Sequence, residues 1–220
     1  MNAGGDGGGE PVDPATAQYY EQFGADSVDR WESIPPDAGL TPFFPTAFPP
    51  GSTVLDIGCG SGRDLARLRA AGHEVHGVEP SSSLRQRCLE EHPELAGRIV
   101  AGCLPDRLEL PQDWPGSFDG IVCSAVLMHI PTSELPAVAR ALRALMHPGA
   151  RLLVSLPAIR AKIVDQRDPL GRLFSGVTME QLESVVASVG LELHTAWLGR
   201  PDAQGRRENS WDVAMFEVSN

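Results

Sequence analysis

The sequence predicts an α/β protein built on a mostly parallel sheet, and three observations carry that prediction. The first is an apolar run, Val54-Leu55-Asp56-Ile57, that gives way to Gly58-Cys59-Gly60-Ser61-Gly62 and then to a segment of helical periodicity. That is a buried strand, a sharp turn and a helix. The second is the succession of further apolar runs at 73–78, 98–101, 117–124 and 150–156, separated by segments patterned as amphipathic helices, as crossover connections require. The third is the ending, where two alternating strands at 191–198 and 211–218 flank a polar loop and read as an antiparallel hairpin.

Taken in order, residues 1–14 are rich in Gly, Asp and Pro and read as a flexible tail that can bury nothing. Residues 15–50 read as a helical cap and connector. Tyr19, Tyr20, Phe23, Val28 and Trp31 lie on an aromatic helical face interrupted near Gly24, and Pro35-Pro36 ends it. Such a helix either packs on the domain or lies over its ligand. Phe43, Phe44 and Phe48 lead into the main domain, 51–220, which shows no internal repeat. After the glycine turn, Leu65, Leu68 and Ala71 share a face of a helix over 64–71. Its N-terminus offers free N–H groups and a positive dipole end to an anion. The strand at 73–78 ends at Glu79, about 20 residues beyond the glycines, where a carboxylate can accept from a ribose diol. Ser81 or Ser82 caps a helix to Glu91 with Leu84, Cys88 and Leu89 inward. Residues 134–146 read as a helix with Leu135, Val138, Ala139, Leu142 and Leu145 on one face, stopped by His147-Pro148-Gly149. Thr178 and Gln181 form a capping box opening a last helix to Gly190.

The stretch Val54-Leu-Asp-Ile-Gly-Cys-Gly-Ser-Gly-Arg63, with Gly77-Val-Glu79-Pro-Ser beyond it, resembles the first two cofactor motifs of class I S-adenosylmethionine-dependent methyltransferases. The dinucleotide-binding fingerprint is the competing reading, but it asks for a glycine where Arg63 stands. The resemblance covers about residues 51–220. It implies a Rossmann-like three-layer sandwich with a mostly parallel seven-stranded sheet and an antiparallel C-terminal hairpin strand. It implies S-adenosyl-L-methionine as cofactor, with the backbone of Gly58, Cys59, Gly60 and Gly62 around the methionine moiety. Asp56 would stand near its amine, and Glu79, followed by Pro80, on the ribose. Arg63 would pair with the methionine carboxylate, the alternative being a surface salt bridge. In the adenine position, where family members usually place an acid after the glycine, this chain has Cys103 followed by Leu104; Asp106 or a backbone carbonyl substitutes. Ser117-Phe118-Asp119 resembles the start of the fourth strand, and Ser124-Ala125 follows it toward the transferred methyl. His129 sits where that methyl emerges and is the candidate general base, the alternative being a packing role.

Composition bounds the rest. A chain of 220 residues with 42% hydrophobic and 21% charged residues is an ordinary globular domain. Its formal charge of −11 argues against a nucleic-acid or anionic-membrane surface, and the Asn/Asp-Pro-Pro-Tyr signature of base methylation is absent after Cys123. The partner implied is a small-molecule methyl acceptor, met by a monomer or homodimer. Cys59, Cys88, Cys103 and Cys123 form no Cys-x-x-Cys pair and read as reduced thiols, and no histidine shows metal spacing. No run approaches a bilayer span and no signal core opens the chain, so a cytoplasmic protein is expected. Residues 158–176 hold Arg160, Lys162, Arg167 and Arg172 against Asp165 and Asp168. That insert is either a solvated loop or a holder for a carboxylate or phosphate on the acceptor. The expected activity is methyl transfer to O, N or S of a small acceptor. A non-catalytic cofactor-binding protein of the same fold is the alternative.

Overall fold

A computed structural model describes residues 13–219. The expected tail over 1–12 lies outside the described residues, but Asp13 and Pro14 belong to the first helix. Asp13 is the N-cap of α1 (Pro14–Phe23), and its carboxylate accepts from Thr16 N–H. The single interrupted helix expected over 15–34 is two: α1, a tight turn at Ala25–Ser27, and α2 (Val28–Glu32). Gly24 permits the break to lie against the domain, since a Cβ there would meet Leu84. The connector is itself partly helical, ending in α3 (Phe44–Ala47).

The sheet contains β1 (Thr53–Ile57), β2 (Glu74–Val78), β3 (Ile99–Val100), β4 (Phe118–Ser124), β5 (Met146–Ile159), β6 (Leu191–Pro201) and β7 (Ser210–Val218), in the order β3-β2-β1-β4-β5-β7-β6. β1 to β5 pair in parallel, and β7 enters antiparallel between β5 and β6. Four helices complete it: α4 (Arg63–Ala70), α5 (Ser82–Glu91), α6 (Leu135–Ala144) and α7 (Met179–Ala187).

Period two along the strands divides the core. Leu55, Ile57, Ile121, Cys123, Leu152 and Val154 face Leu135, Val138 and Leu142 of α6 and Leu182 and Val186 of α7. Val54, Val122, Leu153, Val213 and Met215 face the opposite layer of Phe44, Leu65, Leu68 and Cys88. Both sheet faces are therefore covered, the condition under which a parallel sheet is stable. Each fully buried leucine contributes about 1.5–3 kcal/mol by leaving water.

Three local expectations change. The helix expected over 134–146 stops at Ala144, and His147-Pro148-Gly149 lies within β5. Phe118 N–H donates to Leu145 O at 2.8 Å and Met146 pairs with Phe118, so ladder bonds to β4 extend the chain. Leu89 is exposed rather than inward. The capping box at Thr178 and Gln181 forms as expected, but its helix ends at Ala187.

The outer arginines of α4 fasten the N-terminal segment over the glycine turn. Arg67 donates to Thr41 Oγ1 at 2.8 Å and to the Ile34 carbonyl, and Arg63 Nη1 donates to the Trp31 carbonyl at 3.1 Å. These bonds set Trp31 above Gly60, whose Cβ, were there one, would touch the indole at 3.5 Å.

Candidate active site

The site lies at the carboxyl ends of β1, β2, β4 and β5. β1 is flanked by β2 on one side and β4 on the other, the point where strand order reverses and open α/β sheets form a crevice. A cavity of about 2460 Å³ opens there, walled on its other side by α1, α2 and the insert before α7.

Asp56 is 2% exposed in β1, and its Oδ1 has no hydrogen-bond partner among the described residues. Burial pushes its carboxyl well above the usual range, and the negative charge of Asp64 adds to the shift. A buried carboxyl without a donor is costly, and an ammonium group presented in the cavity would satisfy it. Glu79 is equally buried, but its oxygens are engaged. Oε2 accepts from Gly60 N–H at 3.0 Å and Oε1 from Ser81 N–H at 2.9 Å. Burial still lifts it to about 7. Each oxygen keeps a lone pair for a diol hydroxyl. This donor and acceptor set fits an adenosyl amino acid, with an orphan carboxyl for an amine, a pinned carboxylate for a ribose, and exposed backbone between them.

The turn conforms to this use. Gly58 has φ +73°, and a Cβ there would collide with Val126. Gly62 has φ +83° but does not face the cavity; a Cβ on it would strike Cys88 Sγ, so it serves the packing of α4 on α5. Arg63 lines the cavity, yet its Nε donates to Asp64 Oδ1 at 2.9 Å and its Nη1 holds Trp31. In this arrangement Arg63 braces the N-terminal segment rather than presenting a free guanidinium. Cys59 and Pro80 line the same wall. At the adenine end, Cys103 and Arg107 exchange backbone hydrogen bonds of 2.8 and 3.1 Å, Leu104 is buried, and Asp106 is exposed at the rim. Beyond β4, Ser124 and Ala125 line the cavity. Ala125 has φ +57°, a conformation that costs a residue with Cβ about 1–2 kcal/mol, and its N–H donates to Ser155 Oγ at 3.0 Å.

His129 lies in the turn after β4, and both its nitrogens are bonded. Nδ1 is 2.6 Å from the Leu173 carbonyl. A carbonyl only accepts, so Nδ1 carries the proton and Nε2 offers a lone pair, at 3.0 Å from the Tyr20 hydroxyl. Tyr20 in turn accepts from Arg172 Nη1 at 3.0 Å. The chain therefore runs in one direction, Arg172 to Tyr20 to His129 to the backbone. Burial holds His129 down at about 4, which keeps its imidazole neutral at pH 7. α1 is bound to the insert by Thr16 Oγ1, which accepts from Leu173 N–H at 2.8 Å, and by the Arg167–Asp13 pair at 2.7 Å.

Tyr20, Trp31 and Ser155 also line the cavity, and no motif in the sequence marks them individually. Tyr20 and Trp31 were visible as part of an aromatic face; Ser155 carried no signal. Elsewhere, Asp119 lies at the far end of the sheet, accepting from Thr53 N–H at 2.7 Å and pairing with His147. Among the described residues no group of three or more His, Cys, Asp or Glu is placed to hold a metal ion, and no helix is long and apolar enough to cross a membrane.

A parallel sheet ending in an antiparallel seventh strand, with an acid on β1, a glycine turn and an acid after β2, defines a class I methyltransferase architecture. Comparisons with known proteins agree. A family model described as "Methyltransferase domain" matches residues 34–196. A ubiquinone biosynthesis O-methyltransferase of Xanthomonas campestris pv. campestris is 29% identical over 171 residues, covering 74% of this chain and 69% of that protein. A Burkholderia thailandensis 1,6-didemethyltoxoflavin-N1-methyltransferase, solved with 1,6-didemethyltoxoflavin and S-adenosylhomocysteine, superposes with TM-score 0.73 at 19% identity, over 94% of this chain and 88% of the other. A Haemonchus contortus phosphoethanolamine N-methyltransferase 2, in complex with S-adenosyl-L-methionine, does so with TM-score 0.68 at 15% identity, over 93% and 60%. The chain belongs to the methyltransferase-domain family and is a class I S-adenosylmethionine-dependent methyltransferase. That membership retires the dinucleotide-binding reading.

Proposed function

We propose that the protein transfers a methyl group from S-adenosylmethionine to an oxygen or nitrogen atom of a small molecule held between α1 and the carboxyl ends of β4 and β5. The observation that carries this reading is the Tyr20–His129 pair, a hydroxyl bonded to a neutral imidazole at 3.0 Å inside the same cavity as Asp56 and Glu79. Asp56 would take the cofactor's amine, Glu79 its ribose hydroxyls, and Leu104 with the Cys103 backbone its adenine edge. When bound, the cofactor supplies an electrophilic methyl group.

The chain's own residues then have two tasks. The first is alignment: Ser124, Ala125 and the fixed turn through His129 border the acceptor space, and orientation of this kind is worth about 7–11 kcal/mol. The second is the proton. As the acceptor O–H or N–H is methylated its proton passes to the Tyr20 oxygen while the Tyr20 proton passes to His129 Nε2, leaving tyrosine neutral and imidazole charged. Arg172 holds the Tyr20 oxygen in place throughout. A positioned base of this type contributes roughly 10²–10⁴-fold.

The test is transfer of labelled methyl to a panel of small phenols, alcohols and amines. Wild type is expected to label at least one acceptor. His129→Gln is expected to lower kcat about a hundredfold while S-adenosylhomocysteine binds unchanged. No labelling across the panel, or an unaltered kcat in the variant, would refute the proposed role.

A further inference from the structure

We propose that the acceptor carries an anionic oxygen group, a carboxylate or a phosphate, and that Arg160 receives it. This rests on the reading of the cavity as the acceptor pocket. Arg160 follows directly on β5 and lines that cavity. Its Cζ sits 5.1 Å from the centroid of the Phe174 ring, and Phe174 meets His129 edge to face with centroids 5.0 Å apart. One aromatic ring thus separates Arg160 from the proton-accepting pair.

Its neighbours are satisfied and it is not. Arg172 is paired with Asp168 at 2.6 Å and Arg206 with Asp202 at 2.6 Å. Those two carboxylates have little left to offer. Asp168 also accepts from the Leu170 and Arg172 N–H groups, and Asp202 from the Gln204 and Arg206 N–H groups and from Trp211 Nε1. Arg160 has no carboxylate partner among the described residues, and its Nε is buried without a hydrogen bond. Three guanidinium groups thus share two carboxylates in a protein whose formal charge is −11. Burial lowers the pKa of Arg160, the adjacent cations Arg206 and Arg172 lower it further, and Asp168 and Asp202 oppose them. An anion would correct both defects, giving the buried Nε–H an acceptor and the surplus charge a partner. A planar guanidinium braced on a ring suits a two-oxygen group such as carboxylate or phosphate. The cofactor's own carboxylate is expected at the glycine turn, on the other wall, so the anion assigned to Arg160 belongs to the acceptor.

The test is calorimetric titration of the full chain, saturated with S-adenosylhomocysteine, using inorganic phosphate, benzoate and neutral benzamide. At least one anion is expected to bind about tenfold or more tightly than benzamide, as a charge-assisted bond implies. That advantage should vanish in Arg160→Gln, persist in part in Arg160→Lys, and be unaffected in Arg207→Gln, an exposed arginine outside the cavity. Preference for phosphate would identify a phosphate-bearing acceptor, and preference for benzoate a carboxylic acid. Equal binding of benzamide and the anions, or anion binding as tight in Arg160→Gln as in wild type, overturns the proposal. Because S-adenosylhomocysteine binding is read separately in every variant, loss of the cofactor site or of the fold is distinguishable from loss of the anion site.

Discussion

The two walls of the cavity are made differently. The wall proposed for the cofactor's amino acid and ribose is local: Asp56, the glycine turn and Glu79 fall within one strand-turn-helix-strand unit, and the hydrogen bond from Gly60 to Glu79 spans 19 residues. The acceptor wall is assembled from afar. Tyr20 meets His129 across 109 residues, Arg172 meets Tyr20 across 152, and Arg167 meets Asp13 across 154. The first wall is built by the folding of the sheet itself. The second exists only when α1 and the insert close on each other, and it holds together through polar contacts and the packing of Arg172 and His129 on the rings of Tyr19 and Tyr20. The cofactor wall is therefore expected to behave as rigid scaffold and the acceptor wall as a gate of low local stability.

The sharpest way to break this comparison is at Asp56. Asp56→Asn removes the carboxylate that awaits an amine while leaving the volume, and is expected to weaken S-adenosylhomocysteine binding on the order of 100-fold or more. The folded chain should be no less stable without cofactor, because the burial of an unpaired carboxyl is relieved. Calorimetry and denaturant unfolding on the same variant check both halves. Wild-type affinity in Asp56→Asn would remove Asp56 from the clamp.

The next effect separates the walls by pH. Glu79 titrates at about 7 when folded against an ordinary 4.5. Between those values the folded chain holds a proton that the unfolded chain has released, so this group's contribution declines as pH rises from about 4.5 to 7 and is level above. His129 titrates at about 4 against an ordinary 6.5. Between those values the unfolded imidazole holds a proton that the folded one refuses, so its contribution rises from about pH 4 to 6.5. Each is worth up to about 3 kcal/mol. Relative to wild type, Glu79→Gln should gain stability as pH rises through its window, and His129→Gln should gain it as pH falls through the other. Denaturant midpoints from pH 4.5 to 8 provide the measurement, and curves parallel to wild type for both variants would contradict the burial argument.

The smallest effect tests the gate. The Asp13–Arg167 pair joins α1 to the insert but Arg167 is 41% exposed, so Asp13→Asn is expected to cost no more than about 1 kcal/mol of global stability. Its main consequence should be faster amide exchange in α1 and an increase in KM for the acceptor, with cofactor affinity unchanged. Unchanged exchange in α1 would mean that the helix is held by something other than these polar contacts.

How much was legible follows the same division. The strand before the glycine turn, the carboxylate after β2 and the capping box at Thr178 are written in adjacent residues, and their periodicity and turn chemistry suffice to place them. Arg63 illustrates the limit: the resemblance implied a contact with the methionine carboxylate or else a salt bridge, and its guanidinium pairs with Asp64 and with the Trp31 carbonyl, a partner 32 residues away. Gly62 looked like part of the cradle and instead makes room for Cys88, because only the packing of α4 on α5 reveals which side of the turn it faces. His147-Pro148-Gly149 carried a helix stop, but the ladder to β4 had already drawn the chain into β5.

The sequence by itself determined the α/β class, the order of strands and helices, the family and the placing of Asp56, the glycine turn and Glu79 in one strand-turn-helix-strand unit, since all of these follow from short-range patterns of apolar spacing, glycine and caps. Tertiary structure alone decided that Arg167 and Arg172 of the insert are neutralised, while Arg160 and Lys162 have no carboxylate partner among the described residues. It also decided that Tyr20, one aromatic among several on α1, completes a hydrogen-bonded chain to His129. Charge pairing and hydrogen-bond direction depend on distances between residues far apart in the chain, and those distances are set only when the sheet brings its carboxyl ends together beneath the N-terminal helices.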